Sequence, residues 1–569
     1  MLHLIREHRP LRLAVTAALL SSTAIVSACN QQTTSNEAPR PEGEESVYVT
    51  ANRVATEHDA TAGVAAMEPM VAPYPAPPPM PGDEVRDQFE DVELNGVKVV
   101  AEEPVSTFSA DVDTASYAVI RNYLNSGALP PRDAVRPEEM INYFDYTYRL
   151  PETRERPFEP NITVMQTPWN AGTQLVHIGI QGFDVPRAER PAANLVLLLD
   201  VSGSMDDPKK LPLLKNALRL MIDQLTGDDT VSIVVYAGAA GTVLEPTPGD
   251  QKARILGALD SLSAGGSTAG GEGIRLAYQL AEQTFNPDGI NRVILATDGD
   301  FNVGVSSQGE LVRMVEKERE SGVFLTVLGL GTGNLKDSTM EQLADKGNGN
   351  YAYIDTLEEA RKVLVEQAGA TLVTVAKDVK IQLELNPREV QAYRLIGYEN
   401  RMLRSEDFND DKKDAGEIGA GHSVTAIYEL VPPGAPMPHE SAPKVDALKY
   451  QAPPSTSAAS ASGELATLKL RYKAPDGDES KLSSFAIVDR GASFDAASVD
   501  LRFASSVAAF GMLLRDSPHK GQASFAWVRS TAQGALGRDP SGYRAELVGL
   551  VDKAAALKGD TKVGGVVAR

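Results

Sequence analysis

The feature that most constrains the fold is a regular alternation of strands and helices across the middle of the chain. Residues 194–200 form a near-continuous apolar run, which is expected of a parallel strand buried on both faces. Amphipathic helices and further apolar strands follow one another until about residue 370. This order predicts an α/β domain over residues 191–373, built on a doubly wound parallel sheet with helices on both faces.

The sequence on both sides of this domain has a different pattern. Alternating apolar and polar residues predict strands before and after it. We therefore expect the α/β domain to be inserted into a β-sandwich, since both of its ends lead into strands. In the N-terminal part, Asp113 is expected to cap a helix. The predicted parts around the domain are an N-terminal helical segment (86–157), a β-sandwich in two pieces (158–190 and 374–475, with a loop insertion at 432–463) and a mainly helical C-terminal module (476–569).

The N-terminus has the pattern of a secretory signal. Residues 1–28 combine a basic start, a short apolar run and small residues, and the run is too short for a comfortable transmembrane helix. Cys29, the only cysteine, follows Val26, Ser27 and Ala28, and this order resembles the lipobox of bacterial lipoproteins. That resemblance implies cleavage before Cys29, acylation of its thiol and an envelope protein with a lipid anchor. An ordinary signal peptide with a chance cysteine is the alternative.

Two further expectations concern the region after the signal. Asn30 follows the cysteine, and the enterobacterial sorting rule then favours the outer membrane, on its periplasmic face or its surface. Residues 29–85 contain a dense run of prolines, so we predict a disordered Pro-rich tether between the anchor and the folded part.

The composition argues against several classes of function. The chain has 55 Lys and Arg against 77 Asp and Glu, and its net charge of −22 makes nucleic acid an unfavourable partner. A single cysteine cannot form an internal disulfide or a cysteine-based zinc or iron–sulfur site. His177 lies in a predicted strand without a visible nucleophile partner, so we expect a packed strand residue rather than a catalyst.

Oxygen-bearing side chains follow two strands of the predicted sheet and occupy one of its loops. The first strand ends in Asp200, with Ser202 and Ser204 after it; Thr268 lies in a Gly-rich loop, and Asp298 comes directly after the fourth strand. The first and fourth strands are neighbours at the switch point of this topology, so the two aspartates should face each other across a crevice. An all-oxygen donor set favours a hard cation, Mg²⁺ first and Mn²⁺ or Ca²⁺ next.

These three motifs resemble the metal-ion-dependent adhesion site of the von Willebrand factor type A domain, in their order and in the elements that carry them. The resemblance implies that the hydroxyls of Ser202 and Ser204 bind the metal directly and that Thr268 joins them in a high-affinity state. It implies that Asp200 and Asp298 act largely through water. It also implies a protein partner that completes the metal's coordination with an Asp or Glu side chain.

Other stretches resemble a bacterial envelope lipoprotein subfamily of von Willebrand A proteins whose C-terminal module has no assigned function. We therefore predict a metal-dependent protein-binding or adhesion module on the envelope, with neither a small-molecule substrate nor enzymatic activity. A metal-dependent hydrolase and an envelope assembly factor are the alternatives, and a hydrolase would need a base and a nucleophile that the motifs do not supply. The stretches that carry the likeness are 108–114, 141–144, 297–302 and 408–413.

The last helix of the α/β domain, expected at 357–370, leaves one question open. In adhesion domains of this family, engagement of the threonine ligand shifts the site loops and moves the final helix. The sequence is compatible both with a helix that has two positions and with a rigid site, which is common in bacterial members.

Overall fold

The computed structural model describes residues 87–266, 270–299, 308–413, 415–437 and 457–560. The expected signal peptide (1–28), Cys29, the tether (29–85), Thr268 and most of the predicted loop insertion lie outside these described residues. Within the described part, no helix has both the length and the apolar character needed to cross a membrane.

Before the α/β domain, the chain alternates between short strands and helices. The segment 86–157, expected to be helical, also contains two strands. The second of them is too short to show a clear alternation, and it pairs with a strand beyond the α/β domain, with Ser109 opposite Lys380. The elements are β1 (Lys98–Val99), β2 (Val105–Ser109), α1 (Ala115–Asn125), α2 (Pro137–Asn142), β3 (Phe158–Gln166) and β4 (Gln174–Gly182).

The α/β domain is a six-stranded sheet with flanking helices. Its elements are β5 (Ala193–Asp200), α3 (Leu211–Ile222), β6 (Thr230–Tyr236), β7 (Ala240–Pro248), α4 (Lys252–Asp260), α5 (Gly270–Gln283), β8 (Ile290–Thr297), α6 (Gln308–Glu318), β9 (Phe324–Leu330), α7 (Asp337–Lys346), β10 (Tyr351–Ile354), α8 (Leu357–Arg361) and α9 (Ala368–Leu372). The strand order is β10-β9-β8-β5-β6-β7, so β5 and β8 are adjacent and parallel, as the sequence predicts. Every residue of both strands is buried, which explains their continuous apolar pattern.

Two details of this domain differ from the prediction. β7 is a long edge strand that runs antiparallel to β6, whereas the sequence predicts a parallel sheet; most of its residues are at least partly exposed and lack a continuous apolar pattern. The last helix is interrupted, because a π-helical turn at Lys362–Glu366 separates α8 from α9. The buried ammonium of Lys362 in this turn donates a hydrogen bond to the carbonyl oxygen of Tyr143 and lies 3.1 Å from the centre of its ring. Such a contact with a distant segment leaves no trace in local periodicity.

Beyond the α/β domain, the chain forms strands and then helices. The segment 476–569, expected to be mainly helical, begins with a strand whose exposed residues alternate poorly. The elements are β11 (Thr374–Leu385), β12 (Ala392–Leu395), β13 (Met402–Leu403), β14 (Ile418–Gly419), β15 (Ser423–Val431), β16 (Ala466–Lys473), β17 (Ser480–Ile487), α10 (Val499–Leu514), α11 (Phe525–Gly534) and α12 (Tyr543–Leu557).

Two antiparallel sheets are built from strands on both sides of the α/β domain in the sequence. One has the order β1-β12-β15-β4-β3, and the other has the order β13-β2-β11-β16-β17, with β14 beside β11. Alternate residues of β4 and β11, among them Ile178 and Ile381, pack in one hydrophobic core. The opposite face of the first sheet packs against helices α10 to α12 together with α1 and α2. His177 of β4 is buried, as expected.

Candidate metal-binding site

The carboxylate of Asp200 is fixed at the carboxyl end of β5. Its Oδ1 accepts a hydrogen bond from the backbone N–H of Ser202 (2.9 Å), and its Oδ2 accepts one from the hydroxyl of Thr297 (3.0 Å) at the end of β8. Burial raises the pKa of Asp200 to about 6, although the hydrogen bonds from Ser202 oppose this shift. Thr297 ends β8, so its hydrogen bond to Asp200 joins the ends of the two strands. Any movement of the Asp200 carboxylate out of the crevice would break the hydrogen bonds from both Ser202 and Thr297.

Ser202 and Ser204 place two hydroxyl groups in the loop that follows this carboxylate. Their Oγ atoms are 3.0 Å apart, and Ser204 lies in a short 3-10 turn, Gly203–Met205. The N–H of Gly203 donates a hydrogen bond to the carbonyl oxygen of Gly266 (3.0 Å), so the Gly-rich loop begins next to the serines. Thr268 follows shortly after Gly266 but lies outside the described residues, and its place in the site stays a prediction.

Asp298 is fully buried at the end of the neighbouring strand β8. Its Oδ2 accepts a hydrogen bond from the ammonium of Lys210 (2.9 Å), which also donates to Oδ1 of Asn334 (3.0 Å). Burial alone would raise the pKa of Asp298, but hydrogen bonds from Asn334, Lys210 and Ser204 and the charge of Lys210 lower it below its usual value. Asp298 is therefore ionised at neutral pH.

Lys210 and Asn334 belong to the site, although the sequence motifs did not indicate them. Lys210 directly precedes α3, and Asn334 lies in the loop after β9. Gly331 in that loop has a φ of 72°, and a Cβ there would lie 2.1 Å from Cε of Lys210, so glycine makes room for the lysine. A lysine shortly after a strand-end aspartate was the available sequence signal.

The donor set fits a hard cation. It consists of carboxylate and hydroxyl oxygens without sulfur, which is what Mg²⁺ prefers. The 3.0 Å between the two serine hydroxyls matches the roughly 2.9 Å between adjacent ligands of an octahedral ion with bonds of about 2.0–2.1 Å. Asp200 and Asp298 contribute two negative charges and Lys210 one positive charge, so these residues carry a formal charge of −1 in their ionised forms.

Asp113, which was expected to cap α1, has a different role. Thr114 is the residue that precedes the helix, and its side chain makes no capping hydrogen bond. Asp113 instead accepts hydrogen bonds from the backbone N–H of Tyr351 in β10 (2.7 Å) and from Nη2 of Arg401 (2.8 Å). A long-range ion pair thus replaces the expected local cap.

Asp113 also belongs to a second group of buried acids. Carboxylate oxygens of Asp113, Glu139 and Glu341 lie within 4.8 Å of one another. Arg401 contacts Asp113 and Glu341, both at 2.8 Å, and Arg136 pairs with Glu139. Because guanidinium groups already neutralise these carboxylates, we interpret the group as structural.

The fold and the site together define a class of protein, and family comparisons agree with it. The von Willebrand factor type A domain matches residues 194–367, and a further von Willebrand factor family matches 83–177. A family described as the C-terminal part of the uncharacterized protein YfbK matches 370–557. The α/β domain is a von Willebrand A domain, a class of protein-interaction modules that are generally not enzymes, and no enzyme family is indicated among these matches.

Comparison with individual proteins identifies a family within this class. The uncharacterized protein YfbK of Escherichia coli K12 is 45% identical over 480 residues, which are 83% of this chain and 81% of YfbK. The chain belongs to the YfbK family. The uncharacterized protein sll0103 of Synechocystis sp. is 33% identical over 168 residues, 29% of this chain and 39% of that protein. Among solved structures, a von Willebrand factor type A protein from Catenulispora acidiphila is 17% identical, with a TM-score of 0.39 over 74% of this chain and 93% of that one.

Proposed function

We propose that the protein is a Mg²⁺-dependent binding module of the bacterial envelope, in which five side chains hold the cation. One observation carries the proposal: four of the five meet at the carboxyl ends of the adjacent strands β5 and β8, with two hydroxyl oxygens 3.0 Å apart. Mn²⁺ or Ca²⁺ suits the same oxygen donors. The five side chains are Asp200, Ser202, Ser204, Thr268 and Asp298.

The ligand that fits this site is an exposed Asp or Glu side chain of a partner protein. A bound divalent cation supplies a positive charge that takes a carboxylate oxygen. The ion pair of Lys210 with Asp298 leaves the chain's own residues with a formal charge of only −1, so the loaded site is positive overall. A positive site in a crevice attracts an acidic side chain and repels a basic one.

Calorimetry on the full chain tests the cation site. We expect the wild-type protein to bind Mg²⁺ and Asp200→Ala to lose binding while it keeps its fold, because the site lies at the edge of the sheet. Asp207→Ala removes an exposed carboxylate from the same loop and should bind as the wild type does. Equal Mg²⁺ binding by Asp200→Ala and the wild type would contradict the assignment.

A crosslinked pull-down from cell envelopes tests the partner. Proteins that are recovered with Mg²⁺, but neither with EDTA nor with Asp200→Ala, are the expected acidic partners. Recovery of the same proteins under all three conditions would exclude metal-dependent binding, even if the calorimetry shows that the ion binds.

The proposal also includes a lipid anchor at Cys29 and display at the outer membrane. Its support is the lipobox-like sequence before the only cysteine of the chain. Cys29→Ser should prevent acylation and leave the protein soluble in the periplasm or retained as an uncut precursor. Carbonate-resistant membrane association of this variant at the wild-type level would exclude the anchor.

We also interpret the two antiparallel sheets as one β-sandwich into which the von Willebrand A domain is inserted. The support is their common core and the origin of their strands, since β4 precedes the domain and β11 follows it. In this arrangement, both ends of the domain are attached to the sandwich. A mechanical force on a bound partner would therefore reach the sandwich through two chain connections.

A further inference from the structure

A large cavity lies away from the candidate metal site, between the first antiparallel sheet and the C-terminal helices. Its volume is about 750 Å³, within the range of roughly 300–1,000 Å³ that is usual for small-molecule sites. Three parts of the chain form its wall: the segment after α2, strands β3 and β4, and residues 498–501, 537–541, 543 and 544 of the C-terminal module.

Aromatic rings form one side of this cavity. The rings of Tyr146 and Tyr148 are stacked with their centres 5.5 Å apart. The hydroxyl of Tyr148 is 2.8 Å from the hydroxyl of Thr425 and 3.2 Å from Nε2 of His177. A Cβ at Gly179 would lie 2.3 Å from the Tyr148 ring, so glycine at this position of β4 lets the ring lie against the strand. These contacts hold the ring in place before any ligand binds.

His177 gives an independent sign of a ligand. The residue is 1% exposed and lines the cavity, yet its Nδ1 has no hydrogen-bond partner among the described residues. Burial lowers the pKa of His177 to about 4, so the imidazole is neutral at physiological pH. A buried polar atom without a partner is unfavourable, and a ligand hydroxyl that reaches the imidazole would supply the missing hydrogen bond.

The charges of the wall restrict the ligand further. The wall holds three carboxylates, Asp145, Asp500 and Asp539, and two guanidinium groups, Arg538 and Arg544. Arg544 is occupied, because it donates to a carboxylate oxygen of Asp500 (2.6 Å) and to the carbonyl oxygen of Asp145 (2.8 Å). A wall with a small excess of negative charge does not suit phosphate or another polyanion.

We propose that this cavity is a binding site for a neutral saccharide. The C–H groups of a sugar ring pack on apolar side-chain surface, and each sugar hydroxyl both donates and accepts hydrogen bonds. The wall combines apolar surface, to which Tyr146 and Tyr148 contribute, with hydroxyl, imidazole and carboxylate groups. This site is separate from the metal-dependent one, and it gives the C-terminal module of the family a role.

Calorimetric titration of the full chain with triacetylchitotriose and with maltotriose, at up to millimolar concentration, tests the proposal. We expect at least one of them to bind. Ser541→Trp, which fills the cavity from an exposed wall residue, should weaken binding at least about 10-fold. Ser484→Trp places the same side chain on the exposed strand β17 and should bind as the wild type does.

His177→Phe keeps a ring of similar size but removes both nitrogens, and it should weaken binding about 5-fold or more. Thermal melting of each variant establishes that it is folded. Two outcomes would overturn the proposal: neither sugar binds the wild type, or binding is the same in Ser541→Trp. Mg²⁺ binding should not change in these variants, so failure here is distinguishable from failure of the metal-dependent function.

Discussion

Two groups of buried carboxylates, each beside a basic side chain, differ in what completes them. At the candidate metal site, Lys210, the hydroxyls of the two serines and the hydroxyl of Thr297 lie near Asp200 and Asp298. In the other group, which shares Asp113 and Glu341 with the three acids described above, four carboxylates contact the guanidinium of Arg401. This Arg401 cluster consists of Arg401 with Asp111, Asp113, Glu341 and Asp345.

The two groups also lie in different places. The candidate metal site is formed by loops at the carboxyl edge of one sheet, where a crevice is expected. The Arg401 cluster joins three parts of the chain, since its acids come from the segment before α1 and from α7, and Arg401 follows β12. Buried acids alone therefore do not identify a metal site. Hydroxyl oxygens leave room for an ion, whereas a guanidinium with five donors fills the same space.

Removal of Arg401 should have the largest effect. Arg401→Ala leaves four carboxylates without their shared cation, and we expect the free energy of unfolding to fall by at least ~3–5 kcal/mol. Burial already raises the pKa of Glu341 and of Asp345 to about 7 although Arg401 opposes the shift, so the cluster has little tolerance for further negative charge. Urea denaturation, with EDTA and with Mg²⁺, measures the loss.

The matched control for this variant is Arg404→Ala. Arg404 pairs with Asp407 at 3.0 Å, but its side chain is 74% exposed, so its loss should cost less than about 1 kcal/mol. If Mg²⁺ restores the stability of Arg401→Ala, the Arg401 cluster binds a metal, and the proposed difference between the two groups is wrong. Wild-type stability of Arg401→Ala would show that the cluster is not structural.

Removal of Lys210 should have a smaller effect, and one that a metal ion reverses. In Lys210→Met, the buried Asp298 loses a charged hydrogen bond of 2.9 Å, which is worth about 1.5–3 kcal/mol. A divalent cation can replace the lost positive charge, so Mg²⁺ should restore most of the stability. Lys209→Met, at the exposed neighbouring position, should change little. If Mg²⁺ stabilises Lys210→Met no more than the wild type, the cation does not bind beside Asp298.

The sequence predicted where Asp200, Ser202, Ser204 and Asp298 lie in the fold better than it predicted the contacts between distant segments; that they bind a metal stays a prediction. Asp200 and Asp298 follow continuous apolar strands, and parallel topology alone requires that neighbouring strands end at the same edge. The structure places them there, with Ser202 and Ser204 beside them. Lys210 could not be assigned, because its reach to Asp298 depends on the space left by Gly331 in a separate loop.

The Arg401 cluster was not visible in the sequence for a related reason. Asp113 has the spacing of a helix cap, and local patterns cannot distinguish a cap from an ion pair with Arg401, which is far away in the chain. The interruption of the last helix at Lys362 likewise depends on the distant carbonyl group of Tyr143. Periodicity reports which residues face a core, whereas these contacts are set by how separate segments pack.

The smallest expected effect concerns that last helix, which connects the α/β domain to the strands that follow it. Its first part is anchored: Oε2 of Glu359 accepts hydrogen bonds from Nη2 of Arg121 (2.7 Å) and from the hydroxyl of Tyr143 (2.8 Å). Movement of the helix would break these buried contacts, together with that of Lys362. A partner can supply only its differential affinity for the two positions, typically ~1–3 kcal/mol.

We therefore expect Mg²⁺ and an aspartate-containing peptide to change hydrogen exchange in the wild-type protein at 200–206 but not at 357–372. Glu359→Gln weakens the anchor, and in this variant the change should extend into 357–372. Glu358→Gln, at the exposed neighbouring position, should behave as the wild type does. A change at 357–372 in the wild type would mean that the anchors move with the helix, and the metal site would then be coupled to the antiparallel sheets that begin at Thr374.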